Sequence, residues 1–197
     1  MDALLLVDTT REHLPSPLPQ PLVDLVARAR GVGGVIVHVA DRAVDDGAAG
    51  EGSADGAEGS DESAGSADGG ADAGGVAEEH DGQAGEPDDA EDVDVQPQID
   101  SVLGTTEDEL VLVSAAPDAF EGVEDLADGL DDLGVDRIIV AGSNARGAVL
   151  ESAAAALAIG FELTVVADGI VEPGEWIADL EAAGAVVKSG ADVWLKM

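Results

Sequence analysis

Short apolar runs alternate along this chain with stretches of helical spacing. Ala3 to Val7 is a continuous apolar run that ends in Asp8, which reads as a buried strand with a carboxylate at its carboxyl end. A proline-rich loop follows, carrying Pro15, Pro17, Pro19 and Pro21. Leu22, Leu25, Val26 and Ala29 then recur at helical spacing until Gly31, predicting a helix over 22–30. Val35 to Val39 is a second predicted strand, ending near Asp41, and Leu110 to Val113 is a third. Pro117 to Gly122 reads as a loop, and Glu124 to Leu133 as an amphipathic helix stopped by Gly134. Arg137 to Val140 is a fourth strand that turns through Ala141-Gly142-Ser143-Asn144, and an alanine-rich helix runs from Ala148 to Gly160. Glu162 to Ala167 and Ala185 to Lys188 are further strands, separated by a helix over 172–183 with Trp176, Ile177 and Leu180 on one side. Residues 191–196 have the pattern of an added edge strand. Strands alternating with helices predict a three-layer, doubly wound α/β fold with about six mostly parallel strands.

The pattern breaks between about Val44 and Val95. That stretch holds no Lys, Arg or aromatic residue and is almost wholly Gly, Ala, Ser, Asp and Glu. It lacks the apolar surface to offset the entropy of ordering, so it is expected to be a disordered acidic insertion. Predicted strands flank it, which places it in a surface loop of a single domain spanning 1–197. No internal repeat is evident.

Charge changes the picture next. Forty-three acidic residues against 8 Lys and Arg give a net charge of −35. Such a chain repels itself at low salt, and molar salt screens much of that repulsion. The acidic excess extends into the predicted helices, which points to a halophilic, haloarchaeal-type protein. It argues against nucleic acid and anionic membrane surfaces as partners. The apolar fraction is 45% with only 2% aromatic residues, so the core must be built from Ala, Val, Leu and Ile. No signal-peptide pattern or membrane-length apolar run is visible, and the expectation is a soluble, cytoplasmic protein. The absence of cysteine excludes disulfides, thiolate metal sites and a cysteine nucleophile.

Two motifs lie at the ends of predicted strands. One is Val140-Ala141-Gly142-Ser143-Asn144-Ala145-Arg146-Gly147-Ala148-Val149, and the other is Asp118-Ala119-Phe120-Glu121-Gly122. Together, on successive strands, they resemble the isochorismatase-like cysteine hydrolases, which include nicotinamidases and N-carbamoyl amidohydrolases. The resemblance implies an Asp-Lys-Cys triad: the Asp as general base toward the thiol, the Lys balancing charge, and the thiolate attacking an amide carbon. Asp8 matches the family's Asp. Ser114, six residues before Phe120, stands at the Lys position, and Ala148 stands at the Cys position. The resemblance also places a substrate or oxyanion turn at Ser143 and Asn144, often built around a non-proline cis peptide bond.

Nicotinamidase-like members carry a metal site in a D-x-H pattern after the second strand. Asp41 matches the Asp, but Ala43 replaces the His; His38 falls within a strand and His80 in the acidic stretch. No metal and no cofactor is therefore expected. Ser143 and Ser152 are the other hydroxyls near the turn, and neither has a base placed by sequence, since His13 lies several residues past the first strand. The primary expectation is a pseudoenzyme that binds a small molecule or serves as a homo-oligomer or partner subunit. The alternative is an active hydrolase of an amide or enol-ether-type compound working through another nucleophile.

Overall fold

In the computed structural model, residues 1–41, 99–144 and 147–196 are described. The expected disordered insertion at 44–95 lies outside them, as do Ala43 and His80. The described residues belong to one compact unit.

The first apolar run forms β1 (Asp2–Val7), buried at every position. Helix α1 (Gln20–Val32) begins with Pro21 in its first turn, where a missing N–H costs nothing, and ends at Gly33 in the left-handed conformation. Strands β2 (Val35–Asp41) and β3 (Leu110–Ser114) follow. The segment expected as a loop contains a short helix, α2 (Ala119–Gly122), because the Asp118 carboxylate accepts the Phe120 N–H at 2.9 Å and starts a turn. Then come α3 (Leu126–Asp132), β4 (Arg137–Ser143), α4 (Ala148–Ile159), β5 (Glu162–Val171), α5 (Trp176–Ala182) and β6 (Val186–Lys188).

All pairings are parallel, in the order β3-β2-β1-β4-β5-β6. The alternation of side chains across the sheet divides the core. Ala3, Leu5 and Val7 of β1 pack with residues of α2, α3, α4 and α5, including Ala119, Leu130, Val149 and Leu180. Leu4 and Leu6 pack on the other face, against Leu22, Leu25 and Val26 of α1. Full burial of each such leucine is worth about 1.5–3 kcal/mol.

Two strands outrun their expected ends. β4 continues through Ala141-Gly142-Ser143 and β5 through Asp168-Gly169, resuming their pairing at Gly142↔Ile170 and Ser143↔Val171 after an irregularity. The expected edge strand at 191–196 is instead a 3₁₀ turn, Gly190–Asp192, and an extended tail. The tail's backbone groups serve β1: the Asp2 N–H donates to the Lys196 carbonyl at 3.0 Å, and the Lys196 N–H donates to the Asp2 carboxylate. No helix among the described residues is long and apolar enough to cross a membrane.

Candidate functional site

The chain leaves β1 in one direction to build β2 and β3, and in the other to build β4, β5 and β6. The crevice at the carboxyl ends of β1 and β4 is therefore the topological switch point, where open parallel sheets place ligands. Asp8 and Ser143 both stand there, since Val7 pairs with Gly142.

Asp8 is 1% exposed and has a φ of 47°. A non-glycine residue held there stores roughly 1–3 kcal/mol of strain. Its N–H is fixed by the Val39 carbonyl at 2.9 Å. The next residues are fastened as well: the Thr9 and Ser101 hydroxyls are 3.0 Å apart, and the Val102 N–H donates to the Thr9 carbonyl. Thr10 and His13 pair at 3.1 Å, so His13 is held within its own loop. Ser143 is buried, and neither it nor Asp8 is without a partner.

Asn144 continues the turn. Its N–H donates to the Val171 carbonyl at 3.1 Å, its carbonyl accepts the Gly147 N–H at 3.0 Å, and its side-chain oxygen accepts the Leu150 N–H at 3.0 Å. The amide thus satisfies one of the unpaired donors in the first turn of α4. The Ser143–Asn144 bond is not among the cis peptide bonds of the described residues; Ser16–Pro17 is.

Ser114 ends β3, level with Asp41 of β2. Its hydroxyl turns back into its own loop, donating to the Ala116 carbonyl and accepting the Ala116 N–H at 3.3 Å. It lies against Gly122, where an added Cβ would sit 1.9 Å from the Ser114 oxygen and 2.5 Å from the Ala116 nitrogen. Ser152, in the second turn of α4, fastens the same loop by accepting the Ala119 N–H at 2.9 Å. Its hydroxyl is therefore committed to structure. Ala148, at the first position of α4, is 3% exposed and belongs to the apolar cluster with Val7, Val39, Ala119 and Val149.

The structure thus brings Asp8, Ser114, Ser143 and Ala148 to the carboxyl edge of one sheet and buries all four. Three surface cavities are lined by other residues. Asp41 ends β2.

A polar cluster that the sequence does not reveal lies on the α1 side. Glu109 accepts Arg30 Nε at 2.6 Å, Arg30 Nη2 at 3.0 Å, the Thr106 N–H at 3.1 Å and His38 Nε2 at 3.1 Å. Arg30 also donates to the carbonyls of Leu103 and Gly104. The cluster clasps residues 103–109 to α1 and β2. Burial pushes Glu109 up, but the Arg30 hydrogen bonds, the Thr106 N–H and the Arg30 charge outweigh it and hold the carboxyl below its usual range. Burial pulls His38 down despite Glu109, so the ring is neutral, Nε2 carries the hydrogen, and Nδ1 is buried with no partner among the described residues. The only signals were an Arg in a last helical turn and a Glu just before a strand, 79 residues apart.

A pH dependence follows. Below about 6.5 the unfolded chain protonates His38 while the folded chain resists, so stability falls as pH drops through that range. Glu109 has the same sign, with its contribution lost as pH falls below about 4.5. His38→Gln, which keeps a donor toward Glu109, is expected to lose less stability than the wild type between neutral pH and pH ~5. Paired thermal melts check this, because charge repulsion elsewhere is common to both proteins. A gap between the two that does not change with pH contradicts it.

The three layers, the all-parallel sheet and the carboxylate at its switch point define an α/β protein of isochorismatase-like hydrolase fold. The chain belongs to the isochorismatase family: the model of the isochorismatase domain matches residues 3–189. Among solved structures it is similar to N-carbamoylsarcosine amidase from Thermoplasma acidophilum, at 21% identity and TM-score 0.60 over 98% of each chain. It is similar to an isochorismatase family protein from Desulfovibrio vulgaris, at 21% identity and TM-score 0.63 over 96% of this chain and 94% of that one. It also resembles the pyrazinamidase of Pyrococcus horikoshii in complex with zinc, at 20% identity and TM-score 0.60 over 95% of this chain and 98% of that one. At these identities the likeness establishes the fold alone. No curated protein matches the chain.

Proposed function

We propose that this chain is a pseudoenzyme of the isochorismatase family. It has lost cysteine-hydrolase activity and acts by binding a small carbonyl or amide compound, or as a subunit beside a partner. The observation that carries this reading is Ala148: the position where the family's chemistry needs a thiolate bears a methyl group packed into the core, and the chain has no cysteine. Alanine has no nucleophilic atom. Two further observations support the same reading. Ser114 supplies no cation where the family's Lys would stand, and its hydroxyl closes its own loop. Asn144 spends its side-chain oxygen on the first turn of α4. We read the whole chain, 1–197, as one cytoplasmic domain carrying an acidic insertion, with no cofactor.

A second reading draws on Asp8 and Ser143. A strained, buried carboxylate and a hydroxyl at the switch point are the parts from which a serine-based hydrolase would be assembled.

Assays against nicotinamide, isochorismate and N-carbamoyl compounds separate the two. The wild type is expected to show no turnover above the blank. Ala148→Cys with Ser114→Lys is expected to return weak activity, and Ala148→Cys alone less, since members of one catalytic unit act non-additively. Wild-type turnover abolished by Ser143→Ala or Asp8→Asn would sink the pseudoenzyme reading.

A further inference from the structure

Asp8 and Ser143 are buried at the switch point, so anything that reaches them must pass a covering segment. Residues 99–109 are fastened on both sides of Asp8. Past it, Thr10 and Ser101 form an isolated antiparallel bridge, the Val102 N–H donates to the Thr9 carbonyl at 2.9 Å, and the Thr9 and Ser101 hydroxyls lie 3.0 Å apart. Before it, Glu109 meets His38 Nε2 at 3.1 Å, and His38 pairs in register with Leu6, two residues ahead of Asp8. Residues 104–108, between the two anchors, are exposed, whereas Thr9, His38 and the Glu109 side chain are buried. The segment is a strap laid over the carboxyl end of β1.

The strap joins the sheet by that one bridge and not by a ladder of strand pairs. Its own backbone bonds are turns, from the Gly104 N–H to the Ser101 carbonyl and from the Glu109 N–H to the Thr106 carbonyl. Its apolar hold is Val102 and Leu103, each partly buried. It carries Asp100, Glu107, Asp108 and Glu109 but no Lys or Arg. On a chain of net charge −35, long-range repulsion therefore favours its release. Two arginines oppose that. Arg11 meets Asp100 at 3.7 Å, but both side chains are exposed and such a pair contributes little. Arg30 holds both carboxylate oxygens of Glu109 and also takes the Leu103 and Gly104 carbonyls. The ionic hold is thus concentrated in one bidentate, partly buried pair.

We propose that residues 99–109 are a gate over the switch point, latched by the Arg30–Glu109–His38 clasp, and that the strap lifts to open the crevice at Asp8 while the sheet stays folded. A segment with few buried apolar contacts and a single concentrated anchor is the kind that opens locally, below the cost of global unfolding. Such a gate serves a binding crevice and a catalytic one alike.

The chain has no cysteine, so a single introduced thiol reports on one place. Thr9→Cys puts the thiol under the strap, and Ser152→Cys puts it at a fully buried position of α4. N-ethylmaleimide labelling of the two full-length proteins in molar potassium chloride tests the gate. Thr9→Cys is expected to react at least ~10-fold faster than Ser152→Cys, because local opening is cheaper than unfolding. Its rate is expected to be nearly flat at low urea, since little surface is exposed, while that of Ser152→Cys climbs. Adding Glu109→Gln or Arg30→Gln is expected to raise the Thr9→Cys rate at least a further ~10-fold, the remaining partner being left without its counter-charge. Equal rates and equal urea slopes at the two positions overturn the proposal, because the strap would then leave only with the whole fold. So does a Thr9→Cys rate that neither latch variant moves. Labelling involves no substrate, so its outcome is separate from that of the turnover assays.

Discussion

Gly142→Ala is expected to remove at least about 3 kcal/mol of folding stability, a large share of the 5–15 kcal/mol that holds a typical domain together. Gly142 has a φ of 130°, and a Cβ on it would fall 2.0 Å from the Val7 oxygen and 2.8 Å from the Val7 nitrogen. Those are backbone atoms of the neighbouring strand, so no side chain can swing away. The left-handed strain contributes roughly 1–3 kcal/mol and the overpacking roughly as much again. The site is the central β1–β4 pairing, which cannot part without separating the two halves of the sheet. Gly129→Ala is the matched control. A Cβ there meets nothing within 4 Å, and the residue lies inside α3. It is expected to be neutral or to stabilise by up to about 1 kcal/mol. Denaturant unfolding of the two variants and the wild type reads the difference. A Gly142→Ala protein as stable as the control would show that the strands separate more easily than this geometry states.

The second large effect is on salt. We propose that the protein is halophilic in its stability, and melting temperature is expected to rise with potassium chloride into the molar range. Glu124, Asp125, Asp128, Asp131 and Asp132 crowd on and beside α3, all exposed. With a net charge of −35, their mutual repulsion acts on the folded state at low ionic strength. At molar salt the screening length falls to ~3 Å, shorter than most distances between them. For a chain of this size each kcal/mol moves the melting temperature by roughly 2–4 °C, so a rise of about 10 °C corresponds to roughly 3–5 kcal/mol of relieved repulsion. Melts in sodium and potassium chloride at equal ionic strength test whether screening alone suffices. A melting temperature indifferent to salt removes the halophile argument.

Periodicity alone carried the architecture. The runs Ala3–Val7, Val35–Val39 and Arg137–Val140, set between helical stretches, predict parallel strands because both faces of such a sheet are buried and each strand reads as continuously apolar. The family motifs likewise located Asp8, Ser114 and Ala148 on strand ends or helix starts, since those positions are fixed by local order along the chain. Composition marked the acidic insertion, and the lack of cysteine bears directly on the chemistry.

What depended on contacts between distant segments could not be read in this way. β4 runs past its apolar core where Gly142, lacking a Cβ, lies close against the Val7 backbone, and β5 follows it by resuming the pairing at Ile170 and Val171, a fact of neighbouring strands and not of local propensity. The final segment has the pattern of a strand, yet Asp2 and Arg137 take its backbone groups and leave it a tail. The motif resemblance implies a cation at Ser114 and an oxyanion turn at Asn144, but only folding shows their polar atoms engaged by Ala116 and Leu150. The Arg30–Glu109–His38 clasp joins three elements across the acidic stretch. One-dimensional spacing records the period of a helix or strand; it holds no record of which charges are buried together, because that pairing is made by the packing of layers.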